Sequence, residues 1–145
     1  MPIKATHFQL HELVCKHIYE KYGEQAWQFL DPRLIETIDW IRDTFNKPIE
    51  INNYEWNGDD KQSGLRCNLC HLVKSKTDKG IVYMSAHNEG QAVDFSVNGM
   101  SAGEVRRWLK QHEDHLPYPI RLEDGVSWVH LDCRNTGQKV YIFKP

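Results

Sequence analysis

The residues that most constrain this chain lie between positions 85 and 95 and read Ser85-Ala86-His87-Asn88-Glu89-Gly90-Gln91-Ala92-Val93-Asp94-Phe95. The segment is polar as far as Gln91, and then Ala92-Val93-Asp94-Phe95-Ser96-Val97 has the pattern of a β-strand. His87 is therefore expected on a loop and Asp94 on the strand that leaves it, with Gly90 giving the loop a tight turn. Trp128-Val129-His130-Leu131-Asp132 is a second strand pattern, with polar groups in an apolar run. Two imidazoles and a carboxylate are a ligand set that zinc takes at a catalytic site, where three protein donors leave the fourth position to water.

The rest of the chain reads as alternating helix and strand signals. Leu10, Val14, Ile18 and Tyr22 recur at helical spacing and predict one helix over residues 8–22, stopped by Gly23. Inside it, His11-Glu12-Leu13-Val14-Cys15 falls one residue short of a His-Glu-x-x-His zinc motif, and His17 is out of register for the same face. We read His11 as a surface residue near a buried Cys15. Asp31 and Pro32 open a second helix as N-cap and first-turn residue, and Leu34, Ile38, Ile41 and Phe45 form its apolar stripe. Residues 48–54 follow as a strand, 57–60 as a turn and 74–80 as a solvated loop. Ser101 and Glu104 make a capping box for a helix that buries Val105, Trp108 and Leu109. It ends near residues 112–115, where His112 and His115 are read as surface residues beside a helix C-terminus. Asp124-Gly125 predicts a tight hairpin between strands at 120–123 and 126–132, and residues 140–143 close the sheet. The expected class is α+β: one domain over residues 1–145, with helices packed on a mostly antiparallel central sheet.

Ser85-x-His87-x-x-Gly90-x-Ala92-x-Asp94, followed by Trp128-x-His130, resembles the motif of the zinc peptidases of the D-Ala-D-Ala carboxypeptidase group. That group includes the vancomycin-resistance dipeptidase and phage L-Ala-D-Glu endolysins, and the hedgehog signalling domain shares its fold. A weaker likeness runs from residue 8 to residue 143, with Phe8 ahead of the first helix and Pro48-Ile49-Glu50-Ile51 entering the sheet. The resemblance implies one zinc ion held by His87, Asp94 and His130. It also implies that Ser85 helps set the loop and touches substrate. Gln62-Ser63-Gly64-Leu65-Arg66 resembles the family's Ser-Gly-x-Arg region, whose arginine faces a substrate carboxylate. Arg66 suits that task because its planar fork donates two parallel hydrogen bonds.

The chain departs from the family at the general base. Many relatives carry an acidic residue three positions before the last zinc histidine, where this chain has Ser127. The nearest preceding carboxylates are Glu123 and Asp124. Asp124 is accounted for by the turn, so Glu123 is the candidate base, chosen by proximity and not by the resemblance. A strict two-residue hairpin would pair Glu123 with Val126, about 13 Å along the strand from His130, and only a looser turn brings it back. Asp132, two residues after His130, shares its face; it is expected either to orient a zinc ligand or to pair with Arg134 or a lysine. Trp128 is read as core, or as a wall of the cleft.

Composition limits the partners. With a net charge of -2 over 145 residues, the chain lacks the basic excess of a general nucleic-acid binder. No apolar run is long enough to span a bilayer, and residues 1–11 hold no signal-peptide core, so the expected place of synthesis is the cytoplasm. Action on a cell wall then requires release or export by another route. Four cysteines are present, Cys15, Cys67, Cys70 and Cys133. Cys67-x-x-Cys70-His71 matches a haem-attachment pattern with nothing else to support haem. It also matches half of a zinc site that Cys15 and Cys133 would complete, or plain reduced thiols. The reading as a whole is a monomeric zinc metallopeptidase, a carboxypeptidase or endopeptidase acting on peptidoglycan stem peptides, with no nucleic-acid or membrane partner. The alternative is a catalytically inactive, zinc-stabilised binding module of the same fold.

Overall fold

The structure, a computed structural model, describes residues 2–134 and 137–145. It opens with two short helices, α1 (Leu10–Leu13) and α2 (Lys16–Tyr22), where one was expected. The break comes from outside the helix. Val14 forms a parallel bridge with Leu65. The Cys15 amide donates to the Leu65 carbonyl at 2.9 Å, and the Leu65 amide donates to the Leu13 carbonyl at 2.8 Å. A distant segment thus takes backbone groups that a continuing helix would need. His11 is buried, not on the surface, with its ring edge against Trp56.

A 3-10 stretch, Gly23–Phe29, leads into α3 (Pro32–Phe45). This helix starts as its sequence predicts: the Asp31 carboxylate accepts from the Arg33 amide at 2.9 Å, and Leu34, Ile35, Ile38 and Ile41 are buried. The strand expected at 48–54 shortens to β1 (Ile49–Glu50). Fully buried Asn52 turns the chain away, donating to the Val14 carbonyl at 3.0 Å and accepting from the Ser63 amide at 2.9 Å. The loop expected at 74–80 is instead largely helical, as α4 (His71–Asp78). Its one buried residue, Val73, leaves almost no apolar period to read, while Lys74 and Asp78 form an i,i+4 pair at 2.8 Å.

Then come β2 (Ala92–Val97), α5 (Ala102–Gln111), β3 (Ile120–Glu123), β4 (Val129–Asp132) and β5 (Val140–Phe143). The Ser101 hydroxyl caps α5 through the Glu104 amide at 3.1 Å. Val105 and Leu109 are buried, and Trp108 is half-buried, stacked on His112. The five strands lie in the order β1-β2-β4-β3-β5. All neighbours are antiparallel except β3 and β5. The architecture is single-domain α+β with an open sheet. Among the described residues, no helix is long and apolar enough to cross a membrane.

Strand alternation divides the sheet into two chemically different faces. Val93, Phe95, Val97, Ile120, Leu122, Val129 and Leu131 belong to the buried apolar core, and α5 packs against β2 and β4. The intervening residues are Asp94 on β2, His130 and Asp132 on β4, and Arg121 and Glu123 on β3. They share the opposite face, which loops before β2 cover.

The expected Asp124-Gly125 hairpin is wider than two residues. Arg121 pairs with Asp132 and Leu122 with Leu131, so residues 124–128 form the connection. Continuing that register by one residue sets Glu123 across from His130, on the same face. The turn chemistry at Gly125 is present, with φ 81, but the register follows the apolar pairing of Leu122 with Leu131.

Candidate metal centre

His87, Asp94 and His130 come together, each with a ligand atom within 4.8 Å of the other two. β2 and β4 fix two of them directly, since Asp94 and His130 are register partners. His87 arrives from the turn before β2 and is held by three contacts. Its backbone amide donates to the Ser85 hydroxyl at 3.2 Å, its carbonyl accepts from the Arg66 amide at 3.1 Å, and its Nδ1 lies 2.9 Å from the Gly64 carbonyl. A carbonyl only accepts, so Nδ1 donates to Gly64, and Nε2 is the nitrogen that faces Asp94.

Two glycines make this approach possible. Gly90 has φ 69, and a Cβ there would overlap the Phe29 carbonyl oxygen. A Cβ at Gly64 would overlap the Leu13 backbone. Each glycine lets two backbones meet where a side chain would hold them apart.

His130 lies between two carboxylates. Its Nδ1 is 2.8 Å from Asp94 Oδ1 and its Nε2 is 2.8 Å from Asp132 Oδ2. Asp132 is fully buried and also takes a two-pronged hydrogen bond from Arg121, at 2.8 Å on each oxygen, and one from the Arg134 amide at 3.1 Å. Of the two roles expected of Asp132, orientation of His130 is thus present, and its side-chain cation is Arg121, which the sequence reading did not single out.

Burial alone would lower the His130 pKa, but the hydrogen bonds to Asp132 and Asp94 raise it to about 9. Burial works the other way on Asp94, yet hydrogen bonds from His130 and His87 hold its carboxyl well below the usual range. Burial likewise opposes ionisation of Asp132, which His130 and Arg121 outweigh.

The donor set fits zinc. Two imidazole nitrogens and a carboxylate oxygen are its usual ligands, and each imidazole has its other nitrogen tied to a protein oxygen, as metal-bound histidines do. With bonds of about 2.0 Å, a tetrahedron separates two donors by about 3.3 Å. His87 Nε2 and Asp94 Oδ1 are 3.3 Å apart. The shorter His130–Asp94 spacing is that of a hydrogen bond, and its Nδ1 proton is what an ion displaces.

With its pKa raised to about 9, the His130 ring of the metal-free protein should carry a proton at pH 7 to 8, and a metal binds only the neutral ring. Each ion taken up at pH 7 to 8 should release about one proton from this residue, and affinity should rise about tenfold per pH unit until it levels near pH 9. Zinc titration of chelator-stripped protein in weakly buffered solution counts the protons directly; uptake with no proton release would disprove the assignment of His130.

The trio lines a cleft of about 320 Å³ together with Arg66, Ser85, Glu123, Trp128 and other residues. The three candidate ligands, the candidate base Glu123, and Arg66 and Ser85 therefore border one cavity. Trp128 is 45% exposed, so it is a wall and not core. Asp124 points elsewhere: it lies 3.7 Å from Arg106 and borders a different cavity, beside α5. Ser127 is exposed and does not border the cleft.

Tyr83, Arg121 and Phe143 also line the cleft and were not foreseen. The period-two pattern of β3 could have placed Arg121 on the His130 face once the register was known. Compared with family models, curated proteins and solved structures, the chain matches none.

Proposed function

We propose that this chain is a zinc metallopeptidase with the hedgehog-like peptidase fold, and that it cleaves peptide bonds in bacterial peptidoglycan stem peptides. The observation that carries the reading is the placement of Glu123. It lines the same cleft as His87, Asp94 and His130, across the strand pair from His130. A hydrolase needs a carboxylate there to take the proton of the attacking water and pass it to the leaving amine. Zinc held by the trio supplies a Lewis acid that polarises the scissile carbonyl and lowers the pKa of water to about 7.

Arg66 is the cation of the cleft least committed to other partners. Its terminal nitrogens reach Tyr83 and Asp94 only at 3.5 Å, while its Nε donates to the Gln62 carbonyl at 2.6 Å and anchors the side chain. Arg121 is locked onto Asp132, and Arg134 is held by the Met84 carbonyl at 2.7 Å and Glu89 at 2.8 Å. A substrate carboxylate therefore docks on Arg66, which favours stem peptides with a free or side-chain carboxyl near the cut bond. Ser85, held by the His87 amide, borders the same approach. Trp128 offers an apolar wall.

Purified peptidoglycan digested by zinc-loaded protein, with fragments read by mass spectrometry, tests the reading. New peptide fragments should appear with the wild type and be absent with His87→Ala. A zinc-loaded protein that binds peptidoglycan and releases nothing from it would instead be a binding module of this fold, a reading that Ser127 in the family's base position favours.

A further inference from the structure

A second cluster of metal ligands lies outside the cleft. Cys15, His17, Cys67 and Cys70 bring one ligand atom each to within 4.8 Å of one another. The geometry points to a second, structural zinc site made by these four residues. The sequence pattern Cys67-x-x-Cys70 supplied half of such a site, but its expected completion by Cys15 and Cys133 is only half right. Cys133 is buried elsewhere, its thiol 3.6 Å from the Gln91 carbonyl. His17 takes the fourth place.

The reason is the break between α1 and α2. In a continuous helix, Cys15 and His17 would point to different sides. Cys15 is extended, with φ -67 and ψ 161, and caps α2, so it and His17 in the first turn face the same partner. That partner is the turn before α4. Residues 67 and 70 are joined there by a hydrogen bond from the Cys70 amide to the Cys67 carbonyl at 3.2 Å, and the Leu69 amide donates to Cys67 Sγ at 3.4 Å. An amide aimed at sulfur stabilises a thiolate, the form that binds metal.

The distances agree with tetrahedral coordination. With metal–sulfur bonds of about 2.3 Å and metal–nitrogen bonds of about 2.0 Å, a tetrahedron separates sulfur from nitrogen by about 3.5 Å. His17 Nδ1 lies 3.5 Å from Cys67 Sγ and 3.9 Å from Cys70 Sγ. Three thiolates and one imidazole select zinc and leave no position for water, so the site is closed and does no chemistry. The four cysteines are free thiols. A zinc ion here ties the α1–α2 junction to the segment that carries Gly64 and Arg66, whose backbone and side chain hold His87 and face the cleft.

Zinc content of protein kept reduced throughout, measured by elemental analysis, tests this. Two ions per chain are expected for the wild type, and one each for Cys67→Ser and His87→Ala. Cobalt substitution should give a thiolate charge-transfer band that His87→Ala keeps and Cys67→Ser loses. If Cys67→Ser fails to fold, the wild type alone decides, because a chelator should expose three additional thiols to alkylation as the second ion leaves. A single zinc per chain with Cys15, Cys67 and Cys70 alkylated equally fast before and after chelation would overturn the proposal. Loss of the cleft zinc alone would leave it standing, which separates it from the proposed peptidase activity.

Discussion

Replacing Glu123 with glutamine should lower kcat on peptidoglycan stem peptides by about 10²- to 10⁴-fold, the usual contribution of a positioned acid–base group. Glutamine keeps the size of the side chain and its hydrogen-bonding reach but cannot take a proton. Zinc content and folding should be unchanged, since Glu123 is neither a ligand nor core. Asp124→Asn is the internal control. Its carboxylate faces Arg106 and another cavity, so activity should stay near that of the wild type. Steady-state kinetics on purified fragments distinguish the two carboxylates; full activity in Glu123→Gln would remove the base assignment and with it the main support for catalysis.

The largest structural effect is expected from Asp132→Ala. The carboxylate is completely buried and serves His130, Arg121 and the Arg134 amide at once. Its removal leaves the His130 ring and the Arg121 guanidinium, which is itself partly open to the cleft, without their shared acceptor, and losing hydrogen bonds to a buried charged group costs about 1–3 kcal/mol. His130 also loses the oxygen that fixes its ring, which should weaken zinc binding about 10- to 100-fold. Denaturant unfolding and chelator competition measure the two effects separately. Unchanged zinc affinity in a folded variant would show that β4 alone orients the ring.

Much of the centre was legible in the sequence because its ligands come from short, well-marked segments. His87 and Asp94 share one loop-to-strand motif, and His130 sits in a strand whose period is plain. Arg66 and Ser85 rested on the resemblance, and the cleft contains both. Asp132 was placed by the alternation of a single strand. Arg121 was not, because its place beside Asp132 depends on strand register. The same register decides between Glu123 and Asp124, which the sequence separated only by the turn signal at Asp124. A strict Asp-Gly hairpin would have put Glu123 out of reach. The observed pairing of Leu122 with Leu131 brings it opposite His130, because a shift of one residue would turn β3's apolar side away from the core.

The first helix shows the opposite case. Its 3.6-residue period is clear over residues 8–22, yet the chain is extended at Val14 and Cys15. The backbone bonds to Leu65 that break it join residues about fifty positions apart, and no local pattern contains them. The fourth ligand of the cysteine cluster was misassigned for that reason. Local chemistry by itself determined α3, α5 and the strands of the sheet's centre, the caps at Asp31 and Ser101, the α+β class and the candidate trio of the cleft, since each depends on side-chain period or short-range hydrogen bonding; α4, with one buried residue, carried no such period. Only the tertiary structure decided which carboxylate faces the His87, Asp94 and His130 trio, which cation neutralises Asp132, and that His17 joins three thiols. Those outcomes depend on strand register and on contacts between distant segments, where the burial of apolar residues across the whole sheet outweighs any local preference.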